Sequence, residues 1–188
     1  FIRNSLLAAL IGQQLDLDYE KKGVVSEAEY LRMIELKTAV LVAASLKLGA
    51  IIADAPEKDQ DLLYEFGRCL GIAFQIQDDV LDTYGDTKMF GKKTGSDIVA
   101  NKKTYLLVKA LELAGGSKLT RLRKILGPGD LDPEEKVREV RAIYDELEVR
   151  LQAENLAYDY FNRAFQALDQ VAVQAERKNE LKQLAVNL

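Results

Sequence analysis

Very little in this chain stops a helix. Its 188 residues contain only 3 prolines and 12 glycines. Proline is what a helix interior tolerates least, at a cost of ~3 kcal/mol. Ala, Leu, Glu, Lys and Gln dominate the rest, and these are strong helix formers. No stretch sustains the period-2 alternation of a half-buried strand. The expected fold is therefore all-α, a helical bundle, read as one domain over residues 1–188. Chains near this length bury roughly 70% of their unfolded surface, enough for a real core.

The helices can be placed from their ends. The first covers about Ser5 to Lys21, with Leu6, Leu10 and Leu17 on an apolar stripe. It enters abruptly, as if the chain began partway through a larger fold. The second opens at a capping box, Ser26 with Glu29 three residues on, and runs to about Ile52. Its second half is apolar nearly all round, which predicts burial at the domain centre. The third spans about Glu57 to Thr83 and ends at Gly85. Gly67 and Gly71 stand four apart on it, each costing about 1 kcal/mol against alanine, so a close packing contact is expected there. From Asp86 to Lys103 the sequence reads as a polar, lysine-rich loop. Helices resume at about Lys102 to Leu113 and Lys118 to Leu126. Asp132-Pro133-Glu134-Glu135 is a strong helix start, and helices fill the rest to about Leu184.

Composition excludes several function classes. The net charge is −4, a poor match for nucleic acid, whose binding rests on basic patches. The absence of histidine removes Ser-His and Cys-His nucleophile pairs and His-ligated zinc. A lone cysteine, Cys69, allows no intrachain disulfide and suits a reducing compartment. The longest apolar run, Ala39 to Ala53, carries Lys47 and falls short of the ~20 residues of a membrane helix. With no basic-then-apolar leader at Phe1-Ile2-Arg3-Asn4, a cytoplasmic protein without stable membrane insertion is expected.

Chemistry concentrates in Phe74-Gln75-Ile76-Gln77-Asp78-Asp79-Val80-Leu81-Asp82. On a helix Asp78 and Asp82 are i,i+4, and Asp79 and Asp82 are i,i+3. Like charges at that spacing repel by roughly 0.2–0.5 kcal/mol per pair. They also stand near the helix C-terminus, where the macrodipole disfavours anions. A bound cation removes both penalties, and carboxylates without His or Cys point to a hard metal such as Mg²⁺. The bland alternative is a solvated acidic face. Lys88, Lys92, Lys93, Lys102 and Lys103 follow, with Asp97 among them. Carboxylates beside lysines suit a diphosphate bridged by Mg²⁺ and gripped by ammonium groups. A lysine-rich surface loop without a ligand is the other reading.

These motifs resemble a known family. Gly71 to Asp82, then Gly85-Asp86, Gly91-Lys92, Gly95-Ser96-Asp97 and Asn101-Lys102-Lys103-Thr104-Tyr105, is similar to the second aspartate-rich region of farnesyl-type trans-prenyl diphosphate synthases. Gly12-Gln13-Gln14-Leu15-Asp16 resembles that family's GQxxD segment, and Lys37-Thr38 its Lys-Thr pair. The three occur in the family's order over Gly12 to Tyr105; the helical tail after Lys118 carries no motif.

The resemblance implies an isoprenoid-synthase helical bundle. It implies a prenyltransferase that condenses an allylic diphosphate with isopentenyl diphosphate, with Mg²⁺ as cofactor, farnesyl diphosphate as product and a homodimeric assembly. Asp78, with Asp79 and Asp82, would bind the metal. Lys37, Lys92 and Lys102 would contact the diphosphate, and Asp97 would position a lysine or a metal-bound water. Thr38 and Gln75 would stabilise positive charge at the reacting carbons, and Gln13 and Asp16 would border the cavity. Two bland roles stay open: Thr38 bonding back within its helix, and Gln75 as a satisfied core amide.

The sequence departs from the family in two ways. Residues before Gly12 show no first aspartate-rich motif, and the end at Asn187-Leu188 lacks a basic tail. The expectation is a C-terminal part of a longer synthase, inactive by itself and exposing apolar surface that favours association. Rival readings are a class I terpene cyclase, a non-catalytic partner subunit of a synthase, and a structural helical module.

Overall fold

The computed structural model describes residues 1–85, 94–129 and 131–187. Every regular element among them is helical. In order they are α1 (Ile2–Lys21), α2 (Glu27–Ile34), a π-helical turn (Glu35–Ala39), α3 (Val40–Ile52), α4 (Glu57–Tyr84), α5 (Ser96–Val99) and α6 (Tyr105–Leu113). They continue with α7 (Gly116–Leu126), α8 (Pro133–Glu146), α9 (Val149–Gln170) and α10 (Ala175–Val186). No described helix is long and apolar enough to cross a membrane.

The local signals act as expected. Ser26 Oγ accepts from the Glu29 N–H at 3.3 Å and the Ser26 N–H donates to Glu29 Oε2 at 3.0 Å, closing the capping box. Asp132 Oδ2 accepts from the N–H groups of Glu134 and Glu135 at 3.0 and 3.3 Å, with Pro133 at the first helical position. α6 begins at Tyr105, later than the expected Lys102, because Thr104 is its cap and accepts from the Leu107 N–H at 3.3 Å. The predicted loop is also shorter, since Ser96–Val99 forms a helical turn.

By backbone contact the chain divides into two compact units. The first comprises Phe1–Leu15, Leu31–Gln75 and Leu156–Leu188. Its core joins Phe66, Cys69 and Leu70 of α4 to Ala164, Ala167 and Leu168 of α9, with Val171 and Ala185 beyond. Asp59, buried, accepts from the Ala172 N–H at 3.1 Å. The buried ammonium of Lys178 donates to the Asp169 carbonyl at 2.7 Å. Both of these buried charged groups are thus hydrogen-bonded, as burial requires.

One expectation for this unit is corrected. α3 is not buried all round: Val40, Ala43 and Ala50 are buried, but Leu41, Ile51 and Ile52 are exposed, Ile52 at 78%. On α1, by contrast, the exposure of Leu6, Leu7, Leu10 and Ile11 agrees with the expected exposed apolar surface. An apolar stripe needs a neighbour to bury it. Nothing among the described residues covers the outer faces of these two helices.

The second unit comprises Asp16–Tyr30 and Ile76–Asn155. Here α5, α6 and α7 each pack against α8. Leu106, Leu122, Val140, Ile143 and Tyr144 form its buried interior, each at most 1% exposed.

Candidate active site

The first unit holds Lys37, Thr38 and Gln75. Lys37 and Thr38 do not sit on a regular α-helix. They occupy the π-helical turn, a form that appears mostly as single turns at functional positions. Backbone packing fixes that turn on two sides. A methyl group at Gly12 would lie 2.3 Å from the Lys37 nitrogen and 2.6 Å from the Leu36 carbonyl carbon. Only glycine therefore lets α1 touch the turn. On α4, a methyl at Gly71 would lie 2.6 Å from Ala39 Cα, and one at Gly67 2.8 Å from Ala43 Cα. The glycine pair thus has the close contact that its cost demanded.

Within this frame Thr38 Oγ1 donates to Gln75 Oε1 at 3.1 Å, both half-buried. The two residues assigned to the reacting carbons are brought together. Neither bland role describes them fully, because Thr38 bonds across to another helix and Gln75 is not fully buried. The Thr38 hydroxyl has spent its only proton on Gln75, so its oxygen faces other groups as an acceptor. Gln13, next to Gly12, is exposed.

The second unit holds the aspartates, and their surroundings differ sharply. Asp78 is exposed. Asp79 is 2% exposed, and its Oδ2 accepts from the Tyr30 hydroxyl at 2.6 Å and from the Tyr105 N–H at 2.8 Å. Burial pushes the Asp79 carboxyl up to about 7, against the opposing pull of those two bonds and of Lys102. Asp82 is half-buried; its Oδ1 accepts from Ser96 Oγ at 2.6 Å and its Oδ2 from the Asp97 N–H at 3.0 Å. Asp82 therefore holds the start of α5 beside the end of α4. Among the described residues, no three acidic or cysteine side chains converge as a ready-made metal cluster. Sequence spacing made the three aspartates look alike, and the fold separates them.

Lys102 Nζ pairs with Asp97 Oδ1 at 3.3 Å. Burial lowers the Lys102 pKa, but Asp97, Asp79 and Asp16 outweigh it and hold the ammonium above its ordinary range. Asp16, half-buried, thus lies within the electrostatic reach of Lys102. Asp97 is raised, first by burial and then by Asp82 and Asp78, with Lys102 opposing. Lys92, with Lys88 and Lys93, lies outside the described residues. Sequence reasoning missed Tyr30, whose hydroxyl meets an aspartate 49 residues away and leaves no local signal.

Residues 1–147 match the family model of polyprenyl synthetases, and the chain belongs to that family of trans-isoprenyl diphosphate synthases. Over 174 residues it is 39% identical to a short chain isoprenyl diphosphate synthase of Methanothermobacter thermautotrophicus, covering 93% of this chain and 52% of that protein. Over 173 residues it is 39% identical to a geranylgeranyl diphosphate synthase of Sulfolobus acidocaldarius, covering 92% of this chain and 52% of that one. Among solved structures, a geranylgeranyl pyrophosphate synthetase from Pyrococcus horikoshii superposes with a TM-score of 0.90 at 36% identity, covering 98% of this chain and 55% of that one. A second geranylgeranyl pyrophosphate synthase gives 0.91 at 35% identity, covering 99% and 58%. The chain spans about half the length of the curated relatives it matches. The all-α isoprenoid-synthase fold expected from sequence is the fold observed.

Proposed function

We propose that this chain carries the allylic-diphosphate chemistry of a prenyltransferase that extends an allylic diphosphate with isopentenyl diphosphate. One observation carries the reading. Asp78 is exposed near the negative end of α4, and Asp82, one turn on, accepts from the N–H of Asp97, whose carboxylate pairs with the Lys102 ammonium at 3.3 Å. Acidic charge gathered at a helix C-terminus next to a lysine suits a hard cation and a phosphate ligand.

The donor set fits Mg²⁺, which takes one or two carboxylates and fills its shell with waters and substrate phosphates. Asp78, with Asp82 one turn on, would hold it. When bound, the metal supplies Lewis-acid stabilisation of charge on the departing diphosphate. Lys102 would supply an ammonium group to the leaving group; Lys37 and Lys92 are proposed as diphosphate contacts on the family resemblance alone. The allylic carbon–oxygen bond breaks with its electron pair going to the diphosphate. Negative charge develops on oxygen, where the lysines stabilise it. The acceptor oxygens of Thr38 and Gln75 suit the positive charge left on carbon. The double bond of isopentenyl diphosphate then forms the new carbon–carbon bond. A proton leaves to the released diphosphate, so no protein base is needed in a chain without histidine.

The names of the relatives speak for geranylgeranyl and other short-chain products. The farnesyl expectation draws no support from them, and product analysis of the assembled enzyme would separate the two. A homodimer belongs to the same reading, supported by the exposed Leu6, Leu10 and Ile11 of α1. So does a cytoplasmic setting, supported by the free, buried Cys69.

The test is a calorimetric titration of geranyl diphosphate into the chain, with and without Mg²⁺, beside Asp78→Asn. Binding should need Mg²⁺ and weaken by about tenfold or more in the folded variant. Metal-independent binding, or equal binding by Asp78→Asn, would exclude this reading of the aspartates.

A further inference from the structure

We infer that Asp79 acts as a positioning residue, clamped by Tyr30, that sets Asp78 on one side and Lys102 on the other without itself holding metal. The inference rests on the diphosphate reading above and deepens it. Four observations lead to it.

Asp79 is 2% exposed while its neighbour Asp78 faces solvent. Mg²⁺ dehydrates reluctantly and keeps several waters, so its ligands must reach a hydrated space. A carboxylate beneath Tyr30 and Tyr105, at 1% and 2% exposure, does not reach one.

One oxygen of the Asp79 carboxylate is already employed, and within the buried interior, unlike the half-buried Asp82. Asp79 Oδ2 joins the Tyr30 hydroxyl of α2 to the first N–H of α6. The tyrosine rings meet edge to face, centroids 5.9 Å apart, so the hydroxyl is aimed by packing.

The chain leading to α6 hangs from this joint. The Thr104 N–H donates to the Lys102 carbonyl at 2.9 Å, and the Lys102 N–H to the Asp97 carbonyl at 2.9 Å. Holding the Tyr105 N–H therefore fixes the turn that presents the Lys102 ammonium.

Finally, Asp79 fixes the rotation of α4. Successive helical residues point about 100° apart, so seating Asp79 between Tyr30 and Tyr105 turns Asp78 outward. The joint sets the helix phase that the metal-binding carboxylate needs.

Geranyl diphosphate with Mg²⁺ is titrated into the chain and its variants by calorimetry, with circular dichroism confirming each fold. Asp79→Asn keeps the shape and an acceptor oxygen for Tyr30 and Tyr105 while removing the charge. Its Mg²⁺-dependent affinity should fall by only about threefold. Asp78→Asn should fall by at least about tenfold, and Asp79→Ala, which removes the joint, also by about tenfold, as supporting partners of metal ligands do. Tyr30→Phe keeps the ring contact and loses the clamp, so it should weaken binding by roughly threefold to tenfold.

If Asp79→Asn falls as far as Asp78→Asn, Asp79 is a ligand and the inference is overturned. If Tyr30→Phe binds as the parent does, the clamp is overturned. Should Asp79→Ala not fold, the Asp79→Asn and Tyr30→Phe pair decides the matter. No Mg²⁺-dependent binding by the parent chain would instead sink the diphosphate reading, and the assignment with it.

Discussion

The two units position their functional side chains by opposite means. In the first, Lys37 and Thr38 are placed by backbone against backbone. Gly12 and Gly71 press on the π-helical turn with no room for a methyl group. In the second, Asp79 and the Lys102 turn are placed by a buried polar joint, one carboxylate oxygen accepting from a phenol and an amide. A glycine seam is insensitive to charge and pH but fails when a single carbon is added. A buried carboxylate tolerates nothing that changes its hydrogen bonds, and its energy depends on protonation. Steric placement is therefore brittle to size, and polar placement is brittle to chemistry.

The largest expected effect tests the steric side. Gly71→Ala gains about 1 kcal/mol of helix propensity. Its methyl, however, would stand 2.6 Å from Ala39 Cα, a backbone atom that cannot rotate away. Overpacking of this kind costs typically 1–3 kcal/mol and occasionally more. Against backbone the cost falls at the upper end of that range, so a net loss of about 2 kcal/mol should appear in urea unfolding; a neutral or stabilising result would show that the seam can yield.

A middle-sized effect tests the polar side. The Asp79 pKa is raised to about 7 in the folded chain, mainly by burial. Between roughly pH 4 and 7 the folded state holds a proton that the unfolded chain releases. This group's contribution to stability is thus fullest below that window and is lost as pH rises through it. The slope is at most about 1.4 kcal/mol per pH unit. Carboxylates held low, such as Glu65 beside Arg68, act in the opposite sense. The difference between the parent and Asp79→Asn isolates the term. The parent should lose more stability than the variant between pH 5 and 7.5, and parallel profiles would argue against an ionising, buried Asp79.

The smallest effect sharpens the contrast inside the steric region. Thr38→Val removes the hydroxyl that donates to Gln75 and keeps the side-chain shape. A half-buried hydrogen bond contributes about 1 kcal/mol, so thermal unfolding should register a loss of that order. A loss as large as that of Gly71→Ala would mean that the seam also depends on polar pairing.

What could be read from sequence follows the same division. The Ser26–Glu29 box, the Asp132-Pro133 start and the cost of Gly67 and Gly71 are local statements, and each has its expected structural counterpart. The aspartate helix was legible because spacing along one helix fixes which residues neighbour each other, and the Lys-Thr pair only through its family resemblance. Spacing says nothing of what a second helix brings. Asp79 receives its partners from 49 and 26 residues away, so its separation from Asp78 and Asp82 was hidden. The exposed outer face of α3 was hidden too, since an apolar sequence does not show whether anything covers it. The π-helical turn had no sequence signal: its flanking glycines lie on other helices, at Gly12 and Gly71.

That turn has one more consequence. A π-helical turn takes one residue more than an α-helical turn, so it acts as a phase shift of about 100° in everything that follows it. Before it, α2 is timed by Tyr30 meeting Asp79. After it, α3 is timed by Ala43 meeting Gly67. The extra residue belongs to Glu35–Ala39, so the shift falls on Lys37 and Thr38.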